Sequence, residues 1–269
     1  MQYIDKTIPE FKKKAHDILK MFIDGQWQDD AQSYINLTYT DFDNKLMLSR
    51  LLLKEQNNFC CYCMKHIIEN ETTLEHIIPN KSNNSGDFDI YKAYNQIDTF
   101  VFFWERAMCT NRISVPPFPH ILAYENLVAS CNGYIPTAGL SKCCNNIRGS
   151  KEIIPLFCLA NVEQELKYEL SGAIDCAEKY LNTIKILALE QTTLRLFRRC
   201  WLNLSSNYSA LDVIDASKDE KLRDKIIDDM NFKYVSVSDR MTIMNEVYWK
   251  SFINYFFFCF YLYKQKNGL

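Results

Sequence analysis

Thr72-Thr73-Leu74-Glu75-His76-Ile77-Ile78-Pro79-Asn80-Lys81 is the stretch on which the reading of this chain turns. A β-strand sends successive side chains to opposite faces. Glu75 and His76 can therefore serve one site only if the strand ends or bulges at that point. Pro79 removes a backbone donor and stops the strand. The segment from Asn80 to Asp87 is polar and carries a glycine, which makes it a loop. An acid and an imidazole are thus placed at a loop mouth, in the pattern of half of a metal-dependent hydrolytic site.

The chain has 269 residues, a net charge of -2, 48% hydrophobic residues and eleven cysteines. That length and composition suit a globular protein with a core of its own. A near-neutral charge argues against a free-standing protein that grips nucleic acid by bulk electrostatics, so local cations or a partner must provide the grip. No charged-then-apolar signal opens the sequence, and the reading is a cytoplasmic protein with reduced thiols. The aromatic run 252–263 is too short for a membrane span, which takes about twenty residues. It reads as a buried or partner-facing helix, and no membrane association is expected.

Upstream of the central stretch, Thr7-Ile8-Pro9-Glu10 has the form of a capping box. Phe11, Ala15, Ile18, Leu19 and Phe22 then mark one helical face that runs to Gly25. His16 lies off this face and reads as solvated. Thr40 and Asp41 offer the start of a second helix through Leu46, Leu52 and Leu53, ending at Gln56-Asn57-Asn58. Residues 88–124 lack a clean period, contain Pro116, Pro117 and Pro119, and read as an insertion; no role is assigned to His120. Asn126 to Cys131 is a short strand, and Cys143 to Gly149 a turn entering a short helix. Residues 164–174 read as a hairpin turning at Ser171-Gly172. Helices follow on Tyr180, Leu181, Ile184 and Leu187, on Leu194, Phe197 and Trp201, and on Leu222, Ile226 and Met230.

Cys60 and Cys63 have the spacing that lets two sulfurs reach one tetrahedral zinc from a turn. A thioredoxin-like redox pair would need a βαβ setting, which is missing. The second half of a zinc site falls to Cys131 with Cys144 or Cys143. Their separation of about a dozen residues is wider than the usual two to four, although a longer surface loop costs little. The competing reading is buried thiols without metal. His66 could replace one thiolate.

Taken together, the C-x-x-C turn, the acid-His pair on a strand, Asn126-Leu127 before Ser130-Cys131, and Cys144-Asn145-x-x-Arg148-Gly149 resemble the HNH endonucleases. The runs Tyr3-Ile4-Asp5-Lys6, Leu52 to Gln56 and Glu75 to Lys81 are similar to PtuB-type HNH subunits of Septu and retron-linked anti-phage systems. The resemblance implies an α+β fold, mostly helical around a small zinc-stapled ββα-metal core. It implies an N-terminal helical region at 1–58, the nuclease core at 59–155 and a partner-docking hairpin and helical region at 156–269.

In site terms it implies His76 as general base, Glu75 and Asn145 as ligands of a catalytic Mg2+ or Mn2+, and Asn126 as the brace of the loop carrying the base. Cys60, Cys63, Cys131 and Cys144 would hold structural Zn2+. Lys81, Arg148 and Lys151 would contact phosphate. The implied partners are a PtuA-like ATPase, a DNA or tRNA substrate, and a retron reverse transcriptase with its msDNA. The rival expectations are a zinc-stabilised interaction or nucleic-acid-binding module without activity, and a thiol redox protein.

Overall fold

A computed structural model describes residues 1–35, 37–81, 102–103, 112–135, 141–204, 208–231 and 233–256. The fold is α+β, with helices and small two-stranded sheets among the described residues. It divides into two compact units, one made of residues 1–61, 68–131 and 149–162, the other of 62–67, 132–148 and 163–269.

In the first unit, α1 (Pro9–Gly25) buries Ala15, Leu19, Phe22 and Ile23 and stops at the glycine, as its apolar period requires. The expected capping box does not form. Asp5 takes the Thr7 hydroxyl (2.6 Å) and Lys14 takes Glu10 (2.6 Å), so neither side chain caps the helix. Pro9 begins α1 instead, where a missing N–H leaves nothing unsatisfied. The short strands β1 (Trp27–Gln28) and β2 (Ser33–Tyr34) pair antiparallel. Helix α2 (Lys45–Glu55) begins later than Thr40-Asp41 suggested, because Thr38 and Asp41 close a turn on each other first. It buries Leu48, Leu51, Leu52 and Leu53, and the run-out falls where expected, with Asn57 and Asn58 at positive φ.

The centre of this unit is the antiparallel pair β3 (Thr72–His76) and β6 (Leu127–Cys131), in register from Thr72 opposite Cys131 to His76 opposite Leu127. Between them in sequence, β4 (Phe102–Phe103) pairs parallel with β5 (Phe118–Pro119). Most of the 88–124 insertion lies outside the described residues. The Gln56 side chain takes the place of a further strand beside β6. Its Nε2 donates to Ala129 O (2.8 Å) and Phe59 O (2.9 Å), while Ala129 N–H donates to its Oε1 (2.7 Å). A buried strand edge is thereby satisfied without another strand.

His16 is not solvated. Its Nε2 lies 3.1 Å from Glu125 Oε1 and its ring is edge-on to Phe118 and Tyr124. Burial pushes the Glu125 carboxyl up, but the His16 hydrogen bond and the nearby His16 and Lys12 charges outweigh it, and the net shift is below the ordinary glutamate value. The sign follows: a depressed folded value contributes stability that is complete above about pH 4.5 and is lost as pH falls through the folded value. Glu125→Gln is expected to remove this part of the acid loss, giving a shallower decline in urea stability below pH 4.5. An unchanged acid profile would contradict it.

The second unit begins with residues 62–67. It adds β7 (Tyr134–Ile135) and β8 (Ser141–Lys142), which form an antiparallel hairpin, and α3 (Asn145–Arg148). After α4 (Val162–Glu165), β9 (Leu166–Tyr168) and β10 (Ile174–Cys176) form the expected hairpin, with Gly172 at φ +82°. A Cβ there would meet Arg195 O at 2.1 Å, so the turn needs glycine. The helices α5 (Glu178–Ile186), α6 (Thr192–Leu202), α7 (Ala210–Asp215), α8 (Glu220–Asp228), α9 (Val237–Met244) and α10 (Glu246–Phe252) complete it. Phe252 stacks on Trp201 (4.7 Å), whose Nε1 donates to Phe252 O, so the aromatic run starts as core. Residues 257–263 of that run lie outside the described residues. No helix among the described residues is long and apolar enough to cross a membrane.

Candidate metal centre and adjoining acid-histidine cavity

Cys60, Cys63, Cys131 and Cys144 are all buried, and their sulfurs lie within 4.8 Å of one another. Zinc with Zn–S bonds of about 2.3 Å sets tetrahedral sulfurs about 3.8 Å apart. Four thiols at this spacing therefore fit such an ion with a small contraction. The surroundings suit thiolate, since Cys131 N–H points at Cys60 Sγ (3.3 Å) and Tyr255 Oη lies 3.9 Å from Cys63 Sγ. A buried four-cysteine group able to hold a metal such as zinc is thus a property of the fold.

The long gap between Cys131 and Cys144 is bridged by the β7–β8 hairpin. Gly133, at φ +74°, lets Cys143 N–H reach its carbonyl (2.8 Å), and a Cβ on it would meet Asn146 Cβ and Cys143 O at 2.4 Å. Cys143 stays outside the group of four, with its sulfur 3.5 Å from that of Cys144. His66 is also outside it; its ring lies against Phe256.

Glu75 and His76 lie at the end of β3, which stops at His76. Both are more than nine-tenths buried. With Pro79, Asn80 and Lys81, and with Gly149 and Ser150, they line a cavity of about 450 Å3. His76 Nε2 is 2.9 Å from the carbonyl of Ile121. A carbonyl only accepts, so Nε2 carries the hydrogen and Nδ1 is the basic nitrogen of the neutral ring.

Asn126 fixes the loop after β3. Its Oδ1 accepts from Ile78 N–H (2.7 Å), and its Nδ2 donates to Ile78 O (3.0 Å) and His120 O (2.8 Å). Its own carbonyl accepts from Ile77 N–H (2.9 Å). Asn126→Ala would leave three buried backbone groups without this partner, at about 1–3 kcal/mol each before relaxation. A loss of about 3–5 kcal/mol in denaturant unfolding is expected; a loss below about 1 kcal/mol would show the brace to be dispensable.

Asn145 opens α3, directly after Cys144, and is half-buried. Lys81 and Lys151 are exposed. Arg148 is almost fully enclosed and donates Nη1 to Tyr62 Oη (2.8 Å). Sequence reasoning missed Tyr39, whose ring stands edge-on to His76 at 4.5 Å. Burial, and then the Glu75 charge, raise its hydroxyl pKa above the ordinary tyrosine value, so it stays a protonated donor. No local pattern links Tyr39 to β3.

The chain matches no family model, no curated protein and no solved structure.

Proposed function

We propose that the chain is a metal-dependent HNH-type endonuclease that hydrolyses nucleic-acid phosphodiester bonds, the effector subunit of an anti-phage complex with a PtuA-like ATPase. The observation that carries this reading is His76. Its Nε2 is tied to the Ile121 carbonyl, which makes Nδ1 the basic nitrogen of the neutral ring, and it shares a cavity with Glu75 and Lys81 beside a loop braced by Asn126. Phosphodiester hydrolysis needs a water stripped of a proton and relief of the charge that builds on phosphate. His76 Nδ1 takes that proton as general base. Lys81 faces the same cavity and offsets phosphate charge.

Glu75 and Asn145 would supply the oxygen donors for Mg2+ or Mn2+, a hard ion that keeps waters and binds with one or two carboxylates plus substrate phosphate. When bound, the ion polarises the phosphate and stabilises the leaving oxygen. The four cysteines would have a separate task, holding the fold through zinc. With a net charge of -2, the chain is suited to borrowing nucleic-acid-binding surface from its partner. DNA is the favoured substrate, with tRNA as the alternative.

The enclosure of Arg148 among the protein's own groups favours a second reading, a zinc-stabilised binding module without activity. The two separate when the purified chain, alone and with its ATPase, is incubated with plasmid and total tRNA in Mg2+, Mn2+ or EDTA. The nuclease reading expects cutting in Mg2+ or Mn2+ and none in EDTA. Inertness of the complete, zinc-loaded complex would favour the module.

A further inference from the structure

A second cavity, of about 330 Å3, lies beside the first along β3 and is lined by Tyr39, Lys45, Leu46, Ser49, Glu69, Thr72 and Leu74. Alternation puts Thr72, Leu74 and His76 on one side of the strand. Leu74 is two residues from His76, about 6.6 Å of extended chain, on the scale of one unstacked nucleotide step. Tyr39 touches both places, lining this cavity and standing against the His76 ring.

Ser49 is the polar group left over. It is 7% exposed, and its Oγ is buried without a hydrogen-bond partner. Mid-helix serines ordinarily bond back to a carbonyl or face water, and a buried hydroxyl with neither is costly. Three of the other polar groups here are engaged. Lys45 Nζ donates to Thr40 O (3.0 Å), Thr72 Oγ donates to Ile68 O (2.8 Å), and Glu69 takes Arg50 through two bonds (2.6 and 3.0 Å). The walls are Leu46, Leu74 and the Tyr39 ring, over which Lys45 sits at 4.9 Å. A single cation already engaged is a poor phosphate site. Apolar walls with one hydroxyl, both donor and acceptor, suit a flat group with apolar faces and a hydrogen-bonding edge.

We propose that this cavity receives the nucleobase next to the scissile phosphate and that the Ser49 hydroxyl binds its edge. The proposal rests on the nuclease reading and names the substrate feature that the site takes.

The test measures binding of short fluorescein-labelled single-stranded DNA and RNA by anisotropy, to the zinc-loaded chain in complex with its ATPase, in a His76→Ala background so that the strand stays intact. Intact strands are compared with strands carrying one abasic nucleotide at successive positions. Ser49→Ala is expected to weaken intact-strand binding about 3- to 10-fold, one hydrogen bond's worth. At one abasic position the Ser49→Ala effect should vanish. Leu46→Trp, at the half-exposed mouth, should weaken binding further and lose its effect on the same abasic strand. Ser49→Ala should also melt no lower than its parent, since it removes an unsatisfied hydroxyl, whereas a purely structural Ser49 predicts a lower melting temperature.

An undiminished Ser49→Ala effect at every abasic position, or no effect on any strand, would overturn the subsite. Equal cutting by wild type and His76→Ala would overturn the nuclease reading, while the base dependence of Ser49→Ala would still be read by binding. Failure of every strand to bind would overturn both.

Discussion

Cys131→Ser is expected to yield a chain that neither retains zinc nor folds cooperatively. Wild type should carry one zinc per chain by elemental analysis. The four sulfurs within 4.8 Å of one another are buried, so in the folded chain without metal they would be crowded thiols enclosed away from water. A structural zinc contributes apparent binding energy of about 10–16 kcal/mol, as large as the whole net stability of a typical domain, about 5–15 kcal/mol. Removing one ligand therefore affects folding rather than fine packing. Cys143→Ser provides the matched control, since that thiol lies next to the group but outside it. Zinc-free wild type with an unchanged unfolding transition would contradict the assignment.

His76→Ala is expected to slow cleavage about 10^2- to 10^4-fold, the usual contribution of a positioned general base. The loss should fall on the chemical step and leave zinc content intact, because His76 is not one of the four clustered sulfur ligands. Since Nε2 is committed to the Ile121 carbonyl, a base must act through Nδ1. Replacement by Gln or Asn would keep bulk and a hydrogen bond but provide no basic nitrogen, and should not rescue.

The parts of the fold that were legible are those where one face of an element is buried. The periodicity of Ala15, Leu19 and Phe22 and of Leu194, Phe197 and Trp201 reports a helix against a core, and both helices are present. The turn at Ser171-Gly172 was legible because left-handed backbone selects glycine. The C-x-x-C spacing pointed to zinc because the ion's geometry constrains local sequence.

Elsewhere, local signals were overridden by competing partners. Thr7 and Glu10 spell a capping box, but Asp5 and Lys14 are nearer bidders for the same atoms. His16 looked solvated because Glu125 is remote in sequence and comes to it only through the tertiary fold. The hairpin that brings Cys144 back toward Cys131 is built of two-residue strands, too short to show alternation. Tyr39 against His76 and the Gln56 side chain beside β6 are likewise tertiary facts with no motif of their own.

The most direct test of the central claim is a single-turnover cleavage rate for zinc-loaded wild type and His76→Ala, each with its ATPase, on plasmid and on tRNA, with Mg2+ added back after EDTA treatment and zinc content measured in every sample. Metal-restored cutting of at least one polymer by wild type is expected, with a rate at least about a hundredfold lower for His76→Ala at equal zinc content. Equal rates in the two proteins, or cutting that persists in EDTA, would contradict it.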